Sequence, residues 1–288
     1  RNDNGVRDPE DLILDPVFSD GRDDDRNGYV DDIAGWDFLH DDNDPNDDVG
    51  YGHGTGEALD STAAANGEGD VGTCPHCHVV PMMVGDSFIA DSGRFAAATF
   101  LAIDLGVDVV QVALGAYDNP SVAQASIDAA TAAGIPVVAS MADEQSSHPN
   151  LPAALTGTIA VNSVQTNEES PLPLPEGYLG VNGCTNTGGY IWVSVPSNSC
   201  SSEATGRAAG IVGLIESAAR DAGIPPHPSV TGAGRKDPAP NVLSATEVAQ
   251  VLRLTADDID FGSAVTASAD GKTVAEPADD VDVAPGTR

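Results

Sequence analysis

Five short runs rich in valine and isoleucine recur along the chain, and most of them are apolar at consecutive rather than alternate positions. They are VVPMMV at 79–84, VDVVQVAL at 107–114, IPVVASM at 135–141, TIAVNSV at 158–164 and IWVSV at 191–195. A strand that is apolar on both faces has to be covered on both. Alanine-rich stretches of helical length lie between and around these runs, at 53–66, 94–105, 122–133 and 205–222. This alternation predicts an α/β fold: a three-layer sandwich with a mainly parallel sheet between helices. A chain of 288 residues suffices for one large domain or two small ones.

The ends differ in texture from this middle. Residues 1–52 are dense in Asp, Asn and Gly, with few apolar side chains to offset the entropy of ordering, so an ordered state there needs help, most simply from bound metal. We therefore read 1–52 as an acidic calcium-binding lead segment, 53–261 as the core and 262–288 as a disordered acidic tail. A Pro/Gly-rich stretch at 223–241 leads into a last helix at 244–254, where Ser244 and Glu247 have capping-box spacing. No internal repeat is present. With 12 basic against 45 acidic residues the net charge is −33, which argues against nucleic acid and anionic lipid surfaces as partners and favours cations. No apolar run approaches the roughly 18 residues of a membrane helix, and the start has no signal-peptide pattern. Opening on Arg1, with no evident strand or helix in its first residues, the sequence reads as a fragment of a longer, secreted precursor.

Three segments carry chemistry. Gly52-His53-Gly54-Thr55-Gly56 places a histidine at the start of a helix. Val137 to Glu144 is a buried strand that ends in small residues and the acids Asp143 and Glu144. Cys200 to Gly210 sets Ser201 and Ser202 at the start of another small-residue helix. In a parallel sheet all three lie near the carboxyl ends of strands, where such folds place their sites. A serine at a helix start beside a histidine that can take its proton suits nucleophilic acyl transfer. Each residue also has a bland reading: His53 and the serines as helix-end residues, Asp143 as a surface acid at a strand end.

On these residues the chain resembles the subtilisin-like serine peptidases. The family's HGTH motif is similar to His53-Gly54-Thr55-Gly56, and its substrate strand to Val110-Gln111-Val112-Ala113-Leu114-Gly115. Its oxyanion segment A-A-G-N-E is similar to Ser140-Met141-Ala142-Asp143-Glu144, and its serine motif G-T-S-M-A to Cys200-Ser201-Ser202-Glu203-Ala204. The resemblance implies that Ser202 is the nucleophile, His53 the base, and Ala113, Leu114 and Gly115 the peptide-binding edge. It makes Asp143 the oxyanion residue in place of the family's asparagine, a role only a protonated acid can fill as donor. The family's aspartate ends a strand in D-T-G or D-S-G, and no such strand precedes His53. Asp15 follows Leu12-Ile13-Leu14 but is followed by Pro16, so the aspartate is expected upstream of Arg1.

Residues 23–32 have oxygen donors at alternate positions, Asp23, Asp25, Asn27 and Asp31, and a turn glycine at 28, as in the first half of a calcium loop. A second loop resembles one ahead of the histidine in thermostable family members, which implies Asp37, Asp42, Asp44 and Asn46 as further Ca2+ ligands. For the four cysteines the residues leave open a redox C-x-x-C, a zinc site with His76 and His78, or disulfides. The family's secreted setting implies the pairs Cys74–Cys77 and Cys184–Cys200. The expectation is a secreted, monomeric, calcium-stabilised serine endopeptidase acting on peptides or proteins. The alternatives are a pseudoprotease that binds peptides without cleaving them and a purely structural acidic module.

Overall fold

The computed structural model describes residues 9–47, 51–116, 118, 121–166, 179–226 and 242–256. Its elements are α1 (Pro9–Ile13), β1 (Trp36–Asp37), α2 (His53–Thr62), β2 (Met82–Met83), α3 (Ser92–Leu105), β3 (Val110–Val112), α4 (Ser121–Ala132), β4 (Val137–Ser140), β5 (Thr158–Thr166), β6 (Leu179–Val181), β7 (Val193–Pro196), α5 (Ser201–Asp221) and α6 (Ala245–Thr255). Strands β3, β4, β5 and β7 are parallel, with Val110 opposite Val137, Val137 opposite Thr158 and Val161 opposite Val193. The short β6 pairs antiparallel with the end of β5.

Consecutive apolar residues in β4 and β5 serve two cores. Val137 and Ala139 point to one face, where Phe95 and Ile103 of α3 and Ile127 and Ala130 of α4 pack against them. Val138, Ile159 and Val161 point to the other, against Ala204, Ala208 and Val212 of α5 and Val248 and Leu252 of α6. This is the three-layer sandwich expected. Ser244 and Glu247 form the expected capping box at α6, the hydroxyl accepting from the Glu247 amide.

The lead segment departs from expectation. It contains α1 and a strand, β1, which pairs in parallel with β2. That junction needs Gly35: a Cβ there would stand 2.0 Å from the Pro81 carbonyl oxygen. The acids of 20–32 also build their own loop, since Asp23 accepts from the Asn27 and Gly28 amides and Asp31 from those of Asp20 and Gly21. Helix α2 stops at Thr62, not Asn66, because the chain turns at Ala63, whose carbonyl accepts from the Gly72 amide. The tail at 262–288 lies outside the described residues.

Among the described residues the strands form two sheets, not one: β1–β2 and the sheet that begins at β3. The chains following β2 and β3 touch only at their carboxyl ends, at a parallel bridge between Ile89 and Gly115. Before that bridge they stand apart across a cavity of about 1530 Å³, lined by Met82, Val84, Val107 and Val110 and by residues of α2, α3 and α5. Val79 and Val80 are consequently 47% and 42% exposed, although they belong to one of the apolar runs.

Ile127 has no exposed surface and sits against β4 in the first core. Ile127→Ala should destabilise the fold by about 2–4 kcal/mol through lost burial and the cavity left behind. A shift of the denaturant midpoint by less than a quarter of that, at unchanged m value, would mean the core closes up around the change.

Candidate active site

The site begins where α2 meets α5. Helix α5 carries glycine at 206 and 210, and both are in contact too close for a side chain: a Cβ on Gly206 would lie 2.8 Å from the Glu57 carbonyl oxygen, and one on Gly210 2.9 Å from that of Ser61. Gly206 is one turn on from Ser202, and Glu57 is one turn on from His53. The packing therefore sets the first turns of the two helices side by side. No hydrogen bond joins His53 to Ser202 among the described residues.

The adjacent serines have different surroundings. Ser201 is fully buried, and its hydroxyl lies 2.6 Å from Ser140 Oγ and 2.5 Å from Asp143 Oδ1. Ser202 is half-buried and free of that network. Asp143 Oδ1 also accepts from the Ser201 amide at 2.9 Å, so the acid at the end of β4 caps α5, whose N-cap residue Cys200 supplies no side-chain bond of its own. In this arrangement Asp143 acts as an acceptor through Oδ1. Its loop is held by Asn186, which accepts from the Glu144 and Ser146 amides.

His53 opens α2 after Gly52, which takes a left-handed φ of 65°. Asp47 caps the same turn, accepting from the Thr55 amide at 3.0 Å and its hydroxyl at 2.8 Å. The imidazole is flanked by Tyr51, stacked at 5.9 Å between centroids, and by Phe88, edge-on at 4.8 Å. Its Nε2 lies 3.5 Å from Glu57 Oε1. Burial holds the His53 pKa below its ordinary value, against the pull of Asp143 and Asp47. The opposite holds for Glu57: burial, with Asp60, Glu203 and Asp143 nearby, pushes its carboxyl up to about 8, and its Oε2 is buried without a hydrogen-bond partner. Asp60 is raised to about 6 by burial and Glu203, against the pull of Arg207.

The expected peptide-binding edge is partly occupied by the chain itself. The Leu114 carbonyl accepts from Asn150 Nδ2, the Gly115 amide donates to the Phe88 carbonyl at 2.7 Å, and the Gly115 carbonyl accepts from the Ala90 amide at 2.9 Å. Ala113 follows β3 directly. Both expected cysteine pairs are bonded, Cys74–Cys77 with S–S 2.01 Å and Cys184–Cys200 with S–S 1.89 Å, which leaves no thiol for zinc or redox exchange.

The acidic loops do not gather as the sequence suggested. Among the described residues no group of three acids, histidines or cysteines converges as a metal site. Asp31 is turned away to amides 20 and 21, and Asp32 instead faces Asn27, whose Nδ2 donates to it at 2.7 Å. Burial and the neighbouring Asp25 and Asp23 raise the Asp32 carboxyl above its ordinary value. In the second loop Asp37 is spent on the Leu39 and His40 amides and the His40 ring, Asp42 accepts from the Asp44 amide and Asp44 from that of Asn46.

Sequence reasoning passed over Glu57, Asp47, Tyr51 and Phe88. The one available signal was a glutamate four residues after His53 in a helix start whose other residues, Gly54, Thr55, Gly56 and Ala58, are small. Glu57 has a measurable consequence. Between about pH 4.5 and 8 the folded chain keeps a proton that the unfolded chain has released, so stability falls as pH rises across that window. Glu57→Gln should flatten this dependence and raise the denaturant midpoint most at the alkaline end. Parallel midpoint-against-pH curves for variant and parent would show that Glu57 is ordinarily ionised.

Comparison with known proteins agrees with this fold. Residues 3–271 match the Subtilase family, Peptidase_S8. Thermitase of Thermoactinomyces vulgaris is 31% identical over 199 residues, which span 66% of this chain and 69% of that protein. Among solved structures, sphericase superposes with a TM-score of 0.56 at 20% identity, covering 71% of this chain and 69% of its own. A cold-adapted subtilisin-like serine proteinase gives 0.56 at 16% identity, covering 77% and 73%. The chain belongs to the subtilase family of serine peptidases.

Proposed function

We propose that this chain is the peptidase domain of a secreted, calcium-stabilised serine endopeptidase, with Ser202 as nucleophile and His53 as base. The observation that carries this reading is the glycine-mediated contact of α2 with α5, which aligns the first turns bearing the two residues. Ser202 Oγ attacks the peptide carbonyl while His53 takes its proton and returns it to the leaving amine. The Ser202 amide, at the start of α5, donates to the oxyanion, and Asp143 stands where the family's asparagine would supply a second donor. A strand ending in the orienting aspartate would fit the gap between β2 and β3, which is lined by apolar strand residues and by His53. The two disulfides suit a secreted protein.

A pseudoprotease is the competing reading, favoured by the missing His53–Ser202 hydrogen bond and by Asp143 serving as an acceptor. A fluorophosphonate probe separates the two. It should label Ser202 slowly, since loss of the orienting aspartate costs a subtilisin about 3 × 10⁴ in turnover. Asp143→Asn, which supplies a donor that needs no proton, should speed labelling by up to about 10². Absence of label from both proteins, with the upstream segment restored, would leave the pseudoprotease.

Calcium is supported by the donor set. Asp23, Asp25 and Asp32 crowd one short stretch around Asn27 without converging on a common point, and a divalent cation that drew them together would offset their mutual repulsion. Chelator should lower the melting temperature and expose residues 23–48 to proteolysis. An unchanged melting curve in excess chelator would end the calcium assignment.

A further inference from the structure

Tyr51 and Phe88 are 71% and 52% exposed, the most exposed large aromatic side chains among the described residues. Most of the chain's other described aromatics are covered: Trp36 is buried, and Tyr29 packs edge-on against both Trp36 and Phe38. Tyr51 and Phe88 instead meet edge to face at 5.2 Å in front of His53, and both rings also contact its imidazole. They come from different elements, Tyr51 from the turn before α2 and Phe88 from the segment that holds Gly115. Their meeting at the reacting histidine is therefore a product of the tertiary fold.

The surroundings are acidic. Asp47 and Asp143 act on His53 electrostatically, and Asp86, two residues before Phe88, lines the same cavity. Arg207, the cation closest in sequence to Ser202, is already paired with Glu203. The whole chain carries −33. Exposed aromatic faces with carboxylates around them attract a cation twice over, through the ring quadrupole and through charge. An anionic side chain meets repulsion, and an uncharged apolar one gains only burial.

We propose that the Tyr51–Phe88 pair takes the cationic side chain of a basic peptide substrate, an arginine or lysine lying beside the scissile bond. This rests on the assignment of His53 and Ser202 as the reacting pair, and it names the substrate class for that site. An arginine suits it best, because a guanidinium stacks flat on a ring while its edge donates to carboxylates. The side chain is read on its approach, so long-range attraction from the acidic surface also speeds encounter.

The test uses binding to a Ser202→Ala variant of the full chain, so it does not depend on turnover. Two peptides are compared, one containing arginine and one with citrulline in its place, which keeps the shape and removes the charge. The arginine peptide should bind on the order of 5- to 30-fold more tightly, the range expected for a cation over partly desolvated rings. Salt should narrow that advantage, since the carboxylates act through solvent. Tyr51→Leu and Phe88→Leu, singly and together, should pull the ratio of the two affinities toward one. Equal binding of the two peptides, binding of neither, or a ratio untouched in the double variant would overturn the proposal. Selective binding by a protein whose parent, supplied with the orienting aspartate, takes no fluorophosphonate label would leave this inference standing and remove the peptidase reading. Cleavage without preference for arginine would do the reverse.

Discussion

The approach of α2 to α5 is the contact on which the site depends. Side chains normally keep helix axes 8–10 Å apart, and glycine at the crossing permits a closer fit. Gly206 and Gly210 leave no room for even a methyl group against the Glu57 and Ser61 carbonyls. A further glycine, Gly213, meets the Cys74–Cys77 bridge in the same way: a Cβ there would stand 2.8 Å from the Cys77 sulfur. The contact thus continues from the serine end of α5 into the disulfide-closed turn. Among the described residues His53 and Ser202 share no bond; their relation is inherited from the two helix backbones.

That closeness brings an electrostatic burden. Glu57, Asp60, Asp143 and Glu203 share a small region, with Arg207 as the nearby countercharge. The chain answers in three ways. Glu203 is paired with Arg207, Asp143 is used at the positive end of α5, and Glu57 keeps its proton. A histidine with a depressed pKa beside a protonated glutamate is a pair in which both partners stay neutral. The imidazole is then free to accept a proton at neutral pH, as a general base must.

The sheet and its covering helices were legible because β4 and β5 are apolar on both faces, a pattern with few other solutions. The α6 start was legible because a capping box is local chemistry written in four residues. The lead segment was read less well. Its acids suggested metal, yet most bond to backbone amides within the same loop, and composition cannot tell a carboxylate that turns inward from one that reaches out. Asp31 and Asp32 show the difficulty: they are adjacent and identical, and only the left-handed backbone at Asp31, with φ 59°, decides which one joins Asn27. The same holds for Ser201 and Ser202. The family resemblance chose Ser202, while the burial of Ser201 and its bond to Asp143 depend on residues about 60 positions away.

The two sheets leave facing strand borders beside the cavity, and until the aspartate-bearing strand fills it, backbone borders of that kind template pairing with other chains. What opposes such pairing is the overall charge of −33, since two copies repel before their borders can meet. The colloidal behaviour of this protein is thereby tied to ionic strength. Dilute salt keeps copies dispersed, and concentrated salt screens the repulsion to within about 3 Å and lets the borders come together.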